Sequence, residues 1–313
     1  MGRSQVVAAV ALGALQLLVL ISLAFAGPTE QPQDAPIRIN APDVVSTFLI
    51  DRVEALPGHP LNAQALSTPA AARRSVEQGR SVAAVVVDLK GEQDTLYVAG
   101  ANGAALNREV LEIVEEVEAQ FGRGVVVRDL VDTQAVGRRT VHVLAGVPVV
   151  LGFIVAVMIT WLGGPVPRTL RAGARRIAAV AAIAVVGGGV FGGLAHALGA
   201  GEVVTWWFLA AVVLQVCAMT TLALESVFGV MGIGAAAALF VLTAAPLLRL
   251  THPLLLPEPW ATLTPWLPHG ASLEMATGEA YFGGPDLRPL LVLAVWGALA
   301  VVTMIDARRE RES

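Results

Sequence analysis

The sequence predicts an α-helical integral membrane protein with six transmembrane helices and a small extracytoplasmic α/β domain inserted between the first and second spans. Three observations predict it. Apolar residues make up 55% of the chain and charged residues 15%, with a mean hydropathy of +0.68, far too apolar for an ordinary soluble domain. Six segments each supply the roughly 20 mostly apolar residues that a helix needs to cross a hydrocarbon core of about 30 Å. Between the first two lies a long polar stretch in which short β-branched runs alternate with helical patterns.

The first apolar segment covers residues 6–26. Arg3 ahead of it and Ala24-Phe25-Ala26 at its end also suit a cleavable signal peptide, but the run is longer than the about 7–15 residues of a signal core. Residues 1–26 are therefore read as a signal-anchor helix.

Residues 27–141 open with a Pro-rich tether that ends near Ala35. The runs "IRI", "LNAQAL", "SVAAVVVDL", "DTLYVAG" and "GVVVRDLV" then read as strands, and residues 42–54, 69–78 and 104–121 as helices. The order strand, helix, strand, helix, strand, strand, helix, strand describes an α/β domain, with "KGEQD" as the turn of its hairpin. In the third helix Leu106, Val110, Val114, Val117 and Phe121 recur at helical spacing, and Glu109, Glu112, Glu115, Glu116 and Glu118 are read as a solvated acidic face.

Residues 142–305 form a five-helix transmembrane domain with spans near 143–162, 177–198, 203–224, 228–250 and 289–305, followed by a short tail, 306–313. Arg3, then Arg168, Arg171, Arg175 and Arg176, then Arg308, Arg309 and Arg311 all fall on one side if there are six spans, and basic residues mark the cytoplasmic side. Both termini are thus expected in the cytoplasm and residues 27–141 outside. The segment 251–288 then lies outside as well. Pro253, Pro257, Pro259, Pro265 and Pro268 forbid a continuous helix there, so short interfacial or re-entrant pieces are expected, with Trp260, Trp266 and Tyr281 at the membrane surface.

Polar residues inside spans are costly and therefore informative. Cys217, Thr221 and Glu225 repeat every four residues on one helix face, with Gln215 and Thr220 nearby; such a stripe either lines a substrate path or pairs with another helix. Gly188 with Gly192, and Gly189 with Gly193, make two overlapping GxxxG spacings, and Gly232 with Ala236 and Gly234 with Ala238 extend the theme. Small residues four apart let helices approach closely.

Several chemistries are excluded. The chain's one lysine, Lys90, sits in "DLKGE", so no phosphate-binding P-loop is present and ATP-driven work requires a separate ATP-binding subunit. The five histidines show no metal-ligand spacing, and one cysteine cannot form a disulfide within the chain. "GRSVA" and "GASLE" both miss the nucleophile-elbow pattern at its last position. Neither an enzyme, a cofactor, a metal nor a nucleic-acid partner is expected.

Two stretches carry a family resemblance: "SVAAVVVDL…DTLYVAGANGAAL" with "VVVRDLV", and "WLPHGASLEMATGEAYFGG…LLVLAVWGAL". With the layout of spans, they resemble ABC exporter permeases of the type 2 class, most like the phage-infection-protein (YhgE/Pip) branch and related actinobacterial membrane proteins. Leu267, Pro268, Gly270, Ala271, Tyr281, Phe282, Gly284 and Trp296 match that branch's closing signature. The family often has Asp-Pro-Arg-Gly where "VDTQAVGRR" stands here.

The resemblance implies a permease subunit in a bacterial plasma membrane, dimeric with itself or a related permease. It implies that Arg168, Arg171, Arg175 and Arg176 occupy the place of an ATPase-coupling loop; these arginines equally suit anionic lipid headgroups or positive-inside anchoring. It also implies an external gate at which Glu274 and Glu279 would face the exit vestibule beside Trp266; Gln215, Thr221 and Glu225 are the path candidates that the polar stripe itself offers. A solvated interfacial ledge is the alternative for the two glutamates. The functional alternative is a non-transporting scaffold or receptor whose external domain binds envelope or secreted partners.

Overall fold

A computed structural model describes residues 31–133, 136–164, 167, 169–243 and 252–312. The β-branched runs form β1 (Ala35–Asn40), β2 (Leu61–Ala65), β3 (Ala83–Val86), β4 (Gln93–Val98) and β5 (Gly124–Asp129), interleaved with α1 (Asp43–Glu54), α2 (Pro69–Glu77) and α3 (Ala104–Ala119). Local signals set the boundaries. The Thr68 side chain accepts a hydrogen bond from the Ala71 amide and Pro69 opens α2, while Gly103, at φ +94°, leads into α3. Asp88 forms the hairpin turn by accepting from the Lys90 amide at 2.9 Å.

The strand order is β2-β1-β3-β4-β5, with β1, β2 and β3 mutually parallel, β4 antiparallel to β3, and β5 parallel to β4. Right-handed crossovers dictate the layers. The step from β1 to β2 and the step from β4 to β5 run in opposite directions along oppositely oriented strands, so α1 and α3 land on the same face. The step from β2 to β3 returns past β1 and puts α2 on the other. Two cores follow: Ile37, Ile39, Val85, Leu96 and Val98 against Leu49, Val53, Leu106, Val110 and Val114 on one face, and Ala84, Ala99 and Ala101 against Ala72 and Val76 on the other.

The remainder is helical. Among the described residues four helices are long and apolar enough to cross a membrane: α4 (Arg138–Gly163), α5 (Leu170–Ala197), α6 (Val203–Phe228) and α10 (Leu287–Glu312). The apolar window of α6 is 67% buried, against 17–39% for the other three, so α6 is the central helix. The expected first span, 6–26, lies outside the described residues. The expected fifth span differs in its described part: Gly229, at φ +62°, ends α6, and the chain turns back along it as α7 (Met231–Ala237) and a π-helical stretch, Ala238–Leu242. Residues 244–251, which complete that span in the sequence reading, lie outside the described residues. The prolines break the next segment as expected, into 3₁₀ turns at Pro253–Leu255 and Thr264–Trp266 and the helices α8 (Trp260–Leu263) and α9 (Pro268–Tyr281).

The acidic-face expectation for α3 is corrected at one position. Glu112, Glu115 and Glu116 are exposed, but Glu118 is only 3% exposed. It lies four residues after Val114 and eight after Val110, which puts it on the apolar stripe.

Candidate functional site

Polar groups gather in two places along the helical part. The first is the face of α6 that carries Cys217, Thr221 and Glu225. It packs on α4 through Gly152, Ala156 and Thr160, which repeat at the same spacing of four. A Cβ on Gly152 would lie 2.6 Å from the Leu214 carbonyl oxygen and 2.9 Å from the Cys217 Cβ, so the backbones touch there. Eight residues further along both helices, the Thr160 hydroxyl donates to the Glu225 carboxylate. From the other side α7 closes in through Gly232, where a Cβ would come within 2.4 Å of the Glu225 backbone nitrogen.

Glu225 and Thr221 are fully buried in this seam. The Thr221 hydroxyl donates to the Cys217 carbonyl at 2.8 Å, and the second carboxylate oxygen of Glu225 has no hydrogen-bond partner. Of the two alternatives for the stripe, the described packing is helix pairing. The partner stripe is Gly152-xxx-Ala156-xxx-Thr160, in which only Thr160 is polar and nothing stands out from the apolar run. Gln215 lies away from the seam, its side-chain oxygen buried without a partner.

Gly188 and Gly192 of α5 meet α6 closely, with a Cβ at 2.8 Å from the Trp207 carbonyl oxygen and 2.5 Å from the Val203 carbonyl oxygen respectively. The second spacing is different. A Cβ on Gly189 would only graze Trp207 at 3.8 Å, and one on Gly193 would meet nothing within 4 Å. Those two glycines sit on the outer side of α5.

The arginine segment is largely helix, not loop. Thr169 caps α5 by accepting from the Ala172 amide at 3.1 Å, so Arg171, Arg175 and Arg176 ride on its first turns; Arg168 lies outside the described residues. Arg171 and Arg175 are exposed, whereas the Arg176 guanidinium turns inward and donates to the Gly163 carbonyl at the end of α4. A cation on the unpaired carbonyls at a helix C-terminus is well placed.

The second gathering is the ledge 252–286, wedged between the α/β domain and one end of the helices. Toward the domain, Leu255 enters the core beneath α1 and α3, Phe282 packs over Gly79, and the Gln33 amide donates to the Leu254 carbonyl at 3.1 Å. Toward the helices, the Ser272 hydroxyl donates to the Ala145 carbonyl at 2.7 Å, beside Pro148, whose missing N–H interrupts the α4 ladder. The Tyr281 hydroxyl donates to the Val136 carbonyl at 2.6 Å and the Trp296 indole to the Trp266 carbonyl at 2.8 Å.

Trp266 is exposed, with the Arg288 guanidinium 5.8 Å from its ring centroid, while Trp260 is buried. Glu274 pairs with Arg288 at 3.1 Å. The Glu279 carboxylate lies against the chain just before α6, its Oε1 2.9 Å from where a Cβ on Gly201 would stand. The predicted path residues are therefore split between two ends. A cavity of about 10 Å³ at the ledge is lined by Leu144, Pro148, Phe191, Trp206, Ser272 and Met275 among others, and by none of the predicted path residues.

Within the α/β domain, Asp94 accepts from both Nε and Nη2 of Arg123, at 2.6 and 2.7 Å, and from the Asp88 amide at 2.8 Å. Burial works against its charge, yet these donors hold the Asp94 carboxyl below its ordinary value. Burial first, and the neighbouring Asp94 charge second, raise the Glu118 carboxyl to about 7, so at lower pH it donates to Asp94. Among the described residues no group of three histidines, cysteines or carboxylates could hold a metal.

Compared with family models, curated proteins and solved structures, the chain matches none.

Proposed function

We propose that this chain is the membrane permease subunit of an ABC-type exporter, with six transmembrane helices, both termini in the cytoplasm and residues 27–141 outside. It works with a separate ATP-binding subunit, as a homodimer or paired with a related permease, and moves an amphipathic or surface-destined substrate outward through a bacterial plasma membrane. The observation that carries this reading is the ledge 252–286. It is bonded to the α/β domain on one side and to α4 and α10 on the other, so any movement of the helix ends is transmitted to the domain. Further support comes from charge: Arg171, Arg175 and Arg309 lie at the helix ends remote from the α/β domain, as a cytoplasmic face requires.

One observation favours a second reading, a membrane-anchored scaffold or receptor that binds envelope or secreted partners without transport. Among the described residues the Cys217-Thr221-Glu225 stripe is packed against α4 and α7.

Purification of the tagged chain from its native membrane in mild detergent, with mass spectrometry of what accompanies it, separates the two. An ATPase subunit in near-stoichiometric amount is expected, and it should be lost when Arg171 and Arg175 become Ser. Arg176 is left intact because it holds the end of α4. Recovery of envelope or secreted partners alone overturns the permease reading.

A further inference from the structure

One edge of the α/β sheet is both apolar and open. Among the described residues β5 pairs with β4 alone. Val126 is 38% exposed and Val127 44%, and Arg128 and Asp129 are exposed beside them. The parity of the ladder shows which main-chain groups are free. The Gly124 amide donates to the Glu92 carbonyl at 3.0 Å and the Leu130 amide to the Val98 carbonyl at 2.9 Å, so the even-numbered residues of β5 face β4. The N–H and C=O groups of Val125, Val127 and Asp129 therefore point away from the sheet, in its plane. Natural edges are closed to further pairing by proline, lysine or a bulge. β5 reads Gly-Val-Val-Val-Arg-Asp, and its register with β4 is unbroken over residues 124–129.

Geometry and charge select what pairs there. The ledge and α4 meet the sheet at one end of its strands: the Gln33 amide, just before β1, donates to the Leu254 carbonyl, and Arg138 of α4 donates to the Ala101 carbonyl, just after β4. β5 runs parallel to β4, so it points toward the spanning helices. Copies of the chain in one membrane are related by rotation about the membrane normal, which keeps their β5 strands parallel and sets each residue opposite itself. An antiparallel ladder needs opposed strands, and a parallel one needs the bonding residues of the two strands out of step, so a second copy does not fit. An extended segment of another protein meets neither restriction. Val125 and Val127 lie on the sheet face that carries α3, Val126 and Arg128 on the other. β-branched residues suit the valines, and a carboxylate suits Arg128 directly opposite.

We propose that β5 receives an extended segment of another protein by antiparallel strand addition, with main-chain bonds to Val125, Val127 and Asp129, β-branched side chains across from the valines and a carboxylate across from Arg128. The site rests on the sheet edge alone and stands whether or not the helices transport.

The test uses the full chain in lipid nanodiscs and the fluorescent hexapeptide Thr-Glu-Val-Val-Val-Thr, which places its glutamate opposite Arg128, with binding read by polarisation. Saturable binding is expected. N-methylation of the third peptide residue, whose amide faces β5, should weaken it about tenfold, the scale of one hydrogen bond, whereas N-methylation of the fourth should leave it unchanged. Glutamine in place of the probe's glutamate should weaken it about two- to fivefold. In the free chain the Val125 and Val127 amides should exchange fast with solvent deuterium, and the peptide should slow both. Val127→Pro removes one outward N–H and spares the bonds to β4, so it should abolish binding while the β4 amides stay protected. If that variant loses β4 protection, the two N-methyl peptides decide on the unaltered chain. No saturable binding, equal binding of the two N-methyl peptides, binding that survives Val127→Pro, or Val125 and Val127 amides already protected in the free chain would overturn the proposal.

Discussion

At the scale of single residues, two positions make demands that no neighbour can relax. A Cβ on Gly270 would lie 1.8 Å from the Thr264 carbonyl oxygen, a backbone atom that cannot step aside. Gly270→Ala should cost at least about 1–3 kcal/mol, the range for overpacking, and lower the thermal midpoint of the detergent-solubilised protein. Glu118 is the other. Its carboxyl rises from an unfolded value near 4.5 to about 7 in the fold. A group raised by folding contributes stability that is complete below its unfolded value and is lost as pH climbs through the folded one. The amides of β4 should therefore exchange faster with solvent deuterium at pH 8 than at pH 5 after correction for intrinsic rates, and Glu118→Gln should flatten that difference. Asp94 works in the opposite sense, since its depressed carboxyl loses its contribution as pH falls below about 4.

At the scale of elements, the α4–α6 seam joins two stripes of small residues and ends in one hydrogen bond. Thr160→Val removes the donor to Glu225 and should cost about 0.6 kcal/mol, up to about 1.7, as polar contacts between membrane helices do. Gly152→Leu puts a side chain where two backbones meet and should be far more damaging; steric trapping or chemical unfolding in bicelles would rank the two. Equal effects would mean that the hydrogen bond, not close packing, holds the seam. The sequence exposed the α6 half of this seam because polar residues inside an apolar run stand out. The α4 half was hidden, because Gly152 and Ala156 are unremarkable among apolar neighbours until their partner helix is known. Glu118 was hidden for a related reason: three exposed glutamates around it dominate the pattern, and only its register with Val110 and Val114 gives it away.

At the scale of the whole molecule, the ledge makes one mechanical unit of the α/β domain and the helices. The Phe282 and Tyr281 rings are its pins on the domain side, while the Tyr281 hydroxyl bonds toward the helices. Replacing Phe282 by Ala should weaken docking by about 2 kcal/mol, a partly buried aromatic's share, and Tyr281→Phe should free the Val136 carbonyl. Faster amide exchange with solvent deuterium in α2, which packs against both rings, would report the loss. If exchange there is unchanged in the double variant, the domain is held by something other than these contacts.

The sequence by itself determined the membrane class of the protein, the order of strands and helices in the α/β domain and the broken character of the ledge. Each is set by local physics: hydropathy over a span, the period of apolar residues, and the ring of proline. Only the tertiary structure decided the strand order, the burial of Glu118, the partner of the Cys217-Thr221-Glu225 stripe and the inward turn of Arg176. Those depend on which distant segment comes to lie opposite, and a polar side chain's role is fixed by the donor or carbonyl it meets there. Glu225 shows the difference: its spacing with Cys217 and Thr221 was plain in the chain, but Thr160 gave it its partner.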